Sequence, residues 1–352
     1  MSTLNLAELA RDLEPRLIAL RRELHQHPEV AWEERWTTEH LTRVLIEAGV
    51  TVLPLPLTTG LVAEVQGAGE GPMVAVRTDI DALPVQEETG LDYASTIPGK
   101  MHACGHDFHM AVVAGAALLL QQTRNQWNGT VRFLFQPAEE TSGGANSMIS
   151  AGALKGVQAI FGLHNKPDVP AGHVGLKVGP LMAAVDTITI HVTGKGGHAA
   201  IPDATVDPVV AGSAIVMALQ TAVSRNISPL DSAVVSIGSF QAGSAHNVIP
   251  PTATLLGTVR TFNPDVRRRM PVLLERIIEN VAAGYGATAS LERLQGTPAV
   301  INDAAMVEVM RAAAERVGMT VDEAVPTMGG EDFAAYQERI PGCFIWVGTG
   351  QP

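Results

Sequence analysis

Residues 101–140 read MHACGHDFHMAVVAGAALLLQQTRNQWNGTVRFLFQPAEE. Two periodicities share this stretch. From His106 to about Thr123 runs an Ala-, Leu- and Val-rich segment long enough for several helical turns. Thr130–Gln136 is a short apolar run rich in β-branched and aromatic residues and followed by Pro137, the pattern of a buried strand. The strand runs into Glu139-Glu140, and Cys104 stands between His102 and His106 just ahead of the helix. A helix leading to a buried strand that ends in carboxylates predicts an α/β layer with polar chemistry at its strand ends.

The same alternation extends outward. Leu6, Leu9, Leu13, Leu17, Leu20 and Leu24 recur at helical spacing over Leu4 to His27, and Pro28 stops the run. A second amphipathic stretch, about Thr37 to Ala48, ends at Gly49. Leu61 to Val65, Met73 to Arg77 and Ala159 to Leu163 read as further strands. The strands lead into Asp79-Ile80-Asp81, Glu139-Glu140 and His164-Asn165, so three strand ends carrying Asp, Glu and His predict one site. Near Gly179-Pro180 the character changes. Thr187 to Val192, Ala233 to Phe240, Thr252 to Phe262 and Thr288 to Gln295 are strand-like, while Pro208 to Ser224 and Val266 to Tyr285 are helical. That β-α-β-β-α-β order is the ferredoxin-like signature. Ala304 to Val317 is again helical, and Phe344 to Val347 reads as a return to the first sheet. The expected organisation is a catalytic α/β domain over 1–181 and 297–352, interrupted at 182–296 by an inserted α+β domain.

Composition narrows the function classes. At 352 residues the chain exceeds one ordinary core, and 46% hydrophobic with only 4% aromatic residues predicts aliphatic, Ala-rich cores. A net charge of -12, with no Lys/Arg cluster that supplies a basic footprint, argues against nucleic acid and against an anionic membrane surface. The N-terminus lacks a signal-peptide pattern, and the longest purely apolar run, Met110 to Leu120, is too short to span a bilayer. Two cysteines, Cys104 and Cys343, suit a reducing compartment, although counting leaves a disulfide open; a cytoplasmic location is expected.

Cys104 and His106, two residues apart, can chelate one borderline cation, because thiolate and imidazole both favour such ions. Taken alone, the segment reads equally well as a buried free thiol beside surface histidines. The Glu139-Glu140 pair adds weight, since two charges ending a buried strand are costly without a metal or proton partner. In a turn their side chains diverge, so one can ligate while the other shuttles a proton, the division that metal-assisted hydrolysis needs. His164 completes the candidate ligands. His25, His27, His40, His173 and His191 read as structural histidines.

Arg77-Thr78-Asp79-Ile80-Asp81-Ala82-Leu83-Pro84, Met101 to His109, Phe135 to Glu140 and Gly162-Leu163-His164 together resemble the M20 metallopeptidases. The match is nearer to their amidohydrolase branch (hippurate hydrolases, auxin-conjugate hydrolases and N-acyl-amino-acid deacylases), and it runs from about Leu17 to Gly350. The resemblance implies a zinc-peptidase-like catalytic domain with an inserted lid and dimerisation domain. It implies a binuclear site with Cys104, His106, Glu140 and His164 as ligands and Glu139 as general base. Other M20 branches carry a metal-binding His where Asp79 falls, so Asp79 and Asp81 read as residues that orient ligands.

In the inserted domain, Gly194 to Ala200 resembles the family's lid sequence, whose histidine, here His198, is expected to reach a partner subunit's site and polarise the scissile carbonyl. Ala245 to Pro250 and Gly257 to Arg260 resemble segments that hold the substrate carboxylate, which makes Asn247 and Arg260 candidates; Met328 to Phe333 also matches. The family takes a last ligand from a His soon after the strand at Phe344 to Val347. No histidine follows His246 here, and the expectation is a sequence that stops short of the natural terminus. The implied reaction is hydrolysis of N-acyl amino acids by a homodimer or higher homo-oligomer with two divalent ions, Mn²⁺ or Zn²⁺ first and Ni²⁺ or Co²⁺ next. A dipeptidase or carboxypeptidase of the same family and a metal-free small-molecule binder are the alternatives.

Overall fold

The computed structural model describes residues 6–350. The expected helix start at Leu4 and the chain end at Gln351-Pro352 lie outside them. The described chain divides into two compact units, one comprising residues up to Leu181 with Val300–Val325 and Asp332 onward, the other Met182–Ala299 with Pro326–Glu331.

The first unit is built on an eight-stranded mixed sheet. Its order is Thr51–Leu53, Leu61–Gln66, Thr130–Gln136, Met73–Asp79, Ala159–Pro170, Gly342–Gly350, His173–Leu176, Thr320–Glu323. The four central strands pair in parallel, which buries them on both faces and explains their continuous apolar runs. The helix His106–Gln122 turns Met110, Val113, Ala114, Ala117 and Leu118 into the core. Leu13, Leu20 and Leu24 of Leu6–Gln26, and Leu41 and Leu45 of Arg35–Glu47, join the same cluster with Phe133 and Phe135. Each such fully buried side chain stabilises by about 1.5–3 kcal/mol before chain entropy is counted.

Two strands run further than their local pattern predicts. Met73–Asp79 continues past Arg77, with Asp79 paired opposite Gln136. The strand expected to end at Leu163 continues to Pro170, so His164 lies within it. Gly342–Gly350 lies alongside, with Trp346 opposite His164 and Val347 opposite Asn165. A partner almost two hundred residues away supplies hydrogen bonds that no local alternation can announce.

The second unit is a four-stranded antiparallel sheet in the order Ala233–Ala242, Thr252–Thr261, Ala184–Thr193, Thr288–Gln295. With helices Pro208–Asn226 and Pro264–Gly284 this is the expected ferredoxin-like arrangement. Asp207 accepts from the Val209 and Val210 amides and Asn263 from that of Asp265, which starts each helix at a proline. Among the described residues, Pro208–Asn226 is long and apolar enough to cross a membrane by length and composition, although Ser213, Gln220 and Thr221 interrupt its apolar run. Its Ala211, Ile215, Leu219 and Ala222 are buried with Ile188, Ile190 and Val192 of the sheet, as in a core helix. A short ladder, Gly197–His198 with Val248–Ile249, completes the unit.

Candidate metal centre

The turn after Met73–Asp79, the start of the helix His106–Gln122, the turn after Thr130–Gln136 and the middle of Ala159–Pro170 converge in the first unit. His106 Nδ1 lies 2.8 Å from the Asp81 carbonyl and donates to it. That turns Nε2 inward, where it is buried with no hydrogen-bond partner. Nε2 stands 3.8 Å from Asp79 Oδ2 and 3.8 Å from Glu140 Oε1. His164 repeats the device: its Nδ1 donates to the Asn165 carbonyl at 2.8 Å, and its Nε2 lies 3.3 Å from Cys104 Sγ. Donor atoms of Cys104, His106 and His164 lie within 4.8 Å of one another, as do those of His106, Glu139 and Glu140.

The two carboxylates leave the strand on a tight turn. Ala138 has φ 52° and Ser142 φ 59°, and the Ser142 amide donates to the Glu139 carbonyl at 2.8 Å. The Glu140 amide donates to Asp81 Oδ2 at 3.0 Å, and the Asp332 amide to Glu139 Oε1 at 3.4 Å. Burial alone would push the His106 imidazole down, but Asp79, Asp81 and Cys104 outweigh it and hold His106 well above its ordinary pKa, so a cation would bind there by displacing the Nε2 proton. Burial pushes the Cys104 thiol and the Glu140 carboxyl up, and Asp79 adds to both effects. Burial and His109 bring His164 down to about 3, so that imidazole stays neutral and free to ligate. An oriented pair of Nε2 atoms, a thiol and carboxylates, gathered where negative charge is in excess, fits a borderline divalent cation. Residues 75–352 match the family model for peptidase family M20/M25/M40. The chain belongs to that family.

The relatives of this M20 member agree in kind. It is 51% identical to an N-acetylcysteine deacetylase of Bacillus subtilis over 95% of this chain and 88% of that one. It is 41% identical to an N-acyl-L-amino acid amidohydrolase of Geobacillus stearothermophilus over 86% of this chain and 82% of that one. Among solved structures, the Bacillus subtilis YXEP protein, described as a dinuclear metal binding peptidase from the M20 family, superposes with TM-score 0.87 at 47% identity. That alignment covers 96% of this chain and 90% of that one.

Several supporting residues of the M20 centre carry little sequence signal. Arg77, fully buried, donates to Gln136 at 2.8 Å, Asp79 at 2.7 Å and Asp332 at 2.9 Å. Gln136 in turn binds Asp332 and accepts from the Tyr336 hydroxyl. An arginine inside an apolar strand was the available clue. Glu34 is fully buried and accepts from the Ala138 amide and the Thr59 hydroxyl, each at 2.8 Å, so it pins the residue before Glu139. Beside Glu33 and Arg35 it reads as solvated surface. His109 lies between Asp79 Oδ1, 2.7 Å from its Nδ1, and the Asn165 side-chain oxygen, 2.8 Å from its Nε2. His25 pairs with Asp107 at 2.7 Å, consistent with a structural histidine. His102 is buried, neither ring nitrogen has a hydrogen-bond partner, and burial lowers its pKa to about 4. Cys104 and Cys343 are both free thiols.

In the second unit the short ladder brings two predicted residues side by side. Val248 pairs with His198, and the Ala199 amide donates to the Asn247 carbonyl at 3.0 Å. His198 and Asn247 are exposed, and the Ala200 amide donates to His198 Nδ1 at 3.1 Å. Arg260 belongs to the main sheet and is half-buried. Its guanidinium donates to Thr258 Oγ1 at 2.9 Å and to the Met328 carbonyl at 3.5 Å.

Proposed function

We propose that this chain hydrolyses the amide bond of N-acyl amino acids at a centre of two divalent cations, with Cys104, His106, Glu140 and His164 as ligands and Glu139 as general base. The observation that carries the reading is the pair of imidazoles held by backbone carbonyls, each leaving Nε2 beside a thiol or a carboxylate. The relatives' names, a deacetylase of N-acetylcysteine and an amidohydrolase of N-acyl-L-amino acids, support the substrate class. Bound cations supply Lewis acidity and make water a nucleophile near neutral pH.

The protein residues do the rest. Glu139 takes a proton from the attacking water and returns it to the amine nitrogen as the C–N bond breaks, releasing a carboxylic acid and an amino acid. Asp81 orients His106 through its carbonyl and steadies Glu140 through its carboxylate, while Asp79 holds His109. His198 donates to the oxyanion from the second subunit of a homodimer, and Asn247 and Arg260 bind the substrate carboxylate. Zn²⁺ and Mn²⁺ suit the donor set first, Ni²⁺ and Co²⁺ next. The two unpaired cysteines favour a cytoplasmic setting.

The test is reconstitution with each ion and a comparison of N-acetyl and N-benzoyl amino acids with free dipeptides. Turnover of the acylated compounds, lost in Glu139→Gln while metal content is kept, is the expected result. Faster hydrolysis of free dipeptides would make the enzyme a peptidase instead, and a protein that takes up no metal would refute the centre.

A further inference from the structure

Among the described residues three non-glycine positions have positive φ: Trp32 at 68°, Ala138 at 52° and Ser142 at 59°. The last two shape the turn that carries Glu139 and Glu140. The first packs against that turn, since a Cβ built on Gly143 would lie 2.8 Å from Trp32 Cζ2. Bulky residues avoid this backbone region, and where they persist the surroundings over-determine them.

Here the surroundings are explicit. The Ala82 amide donates to the Glu29 carbonyl at 2.8 Å, and the Glu33 amide to the Val30 carbonyl at 2.9 Å. The Glu29 carboxylate accepts from the amides of Trp36 at 3.1 Å and Thr37 at 2.9 Å, and Glu34 holds the Ala138 amide. The segment is thus clamped between the Asp81 turn and the carboxylate turn. Trp32 nonetheless keeps 41% of its surface exposed. Trp36, four positions on, is by contrast stacked between His27 and His40. Glycine would satisfy the backbone at 32 without strain, and the part of the indole that does not pack on the carboxylate turn is left open to a molecule outside the fold.

We propose that Trp32 is a specificity-determining wall of the hydrolytic site and receives the apolar or aromatic acyl group of the substrate. The inference rests on the proposed hydrolysis of N-acyl amino acids. It assigns the acyl end of the substrate to the unit that bears Glu139 and Glu140. An indole face offered to a benzoyl ring contributes on the order of a tenfold preference over a group too small to stack.

The experiment compares kcat/KM for an N-benzoyl and an N-acetyl derivative of one amino acid in the metal-loaded wild type, Trp32→Gly and Trp32→Phe. Glycine adopts the observed φ freely, so Trp32→Gly should fold and retain wild-type metal content. The benzoyl-to-acetyl ratio is expected to fall about tenfold in Trp32→Gly and to recover most of that loss in Trp32→Phe. Equal losses on both substrates, or an unchanged ratio, overturn the assignment of Trp32 while leaving the hydrolase reading intact. A wild type that turns over neither substrate overturns the reading itself, and the wall with it.

Discussion

Gly105 sits between two proposed ligands, and replacing it with alanine tests how the metal loop is held. Its backbone is at φ 111° and ψ 14°, where an L-residue is strained by about 1–2 kcal/mol. A Cβ there would lie 2.3 Å from Asn165 Oδ1 and 2.7 Å from Cγ, so the Asn165 side chain must swing away. That movement gives up its 2.8 Å contact with His109 Nε2, worth about 1 kcal/mol. The expected loss for Gly105→Ala is therefore about 2–3 kcal/mol of stability in the metal-free protein. Metal affinity should fall at least about tenfold as Cys104 and His106 lose register. Asn165→Ala clears the obstruction but not the strain, so the double variant should be less destabilised than the two single losses summed, by about 1 kcal/mol. Urea unfolding of the four chains, with metal titration of each, measures both quantities. A Gly105→Ala protein within about 0.5 kcal/mol of wild type, or strictly additive losses, would refute this account of the loop.

Arg77→Met should destabilise by about 3–5 kcal/mol, since it leaves Asp79 and Asp332 buried without their cation; a loss below about 1 kcal/mol in urea would contradict the network. Glu34→Ala leaves the buried Ala138 amide without its acceptor and the Thr59 hydroxyl without its partner, so about 1–3 kcal/mol of stability and part of kcat should go, with KM little changed. Asp186 is held below its ordinary pKa because Arg267 and Arg293 outweigh the burial that would raise it. Its contribution is present above the unfolded-state pKa and is lost as pH falls through the lower folded value, so Asp186→Asn should weaken the protein at pH 7 and flatten acid unfolding below about pH 4. An acid limb unchanged in that variant would count against the ion pairs. Cys104→Ala should lower bound metal per chain, read by elemental analysis; unchanged stoichiometry removes Cys104 from the ligands.

The mixed layers, the ferredoxin-like insertion and most strands were legible because each rests on local periodicity. Thr130–Gln136, a short apolar run, and Thr288–Gln295 fall where their local patterns place them. The candidate ligands Cys104, His106, Glu140 and His164 and the candidate base Glu139 could be named from sequence because they are types whose clustering is costly without a role, and the fold brings donor atoms of these residues within reach of one another. Their supports were not. Glu34 lies 104 positions from the amide it holds, and Arg77 lies 255 positions from Asp332. Nothing near Glu34 in the chain distinguishes a buried carboxylate from a solvated one.

The sequence by itself determined which side chains could form a metal centre, since residue chemistry and strand-end placement are local properties. Only the tertiary structure decided how that centre is aimed. His164 lies mid-strand because Gly342–Gly350 pairs beside it, and both imidazoles turn Nε2 inward because particular backbone carbonyls take their Nδ1 protons. Orientation of this kind comes from hydrogen bonds closed across the fold, and their partners exist as neighbours only once the sheet has formed.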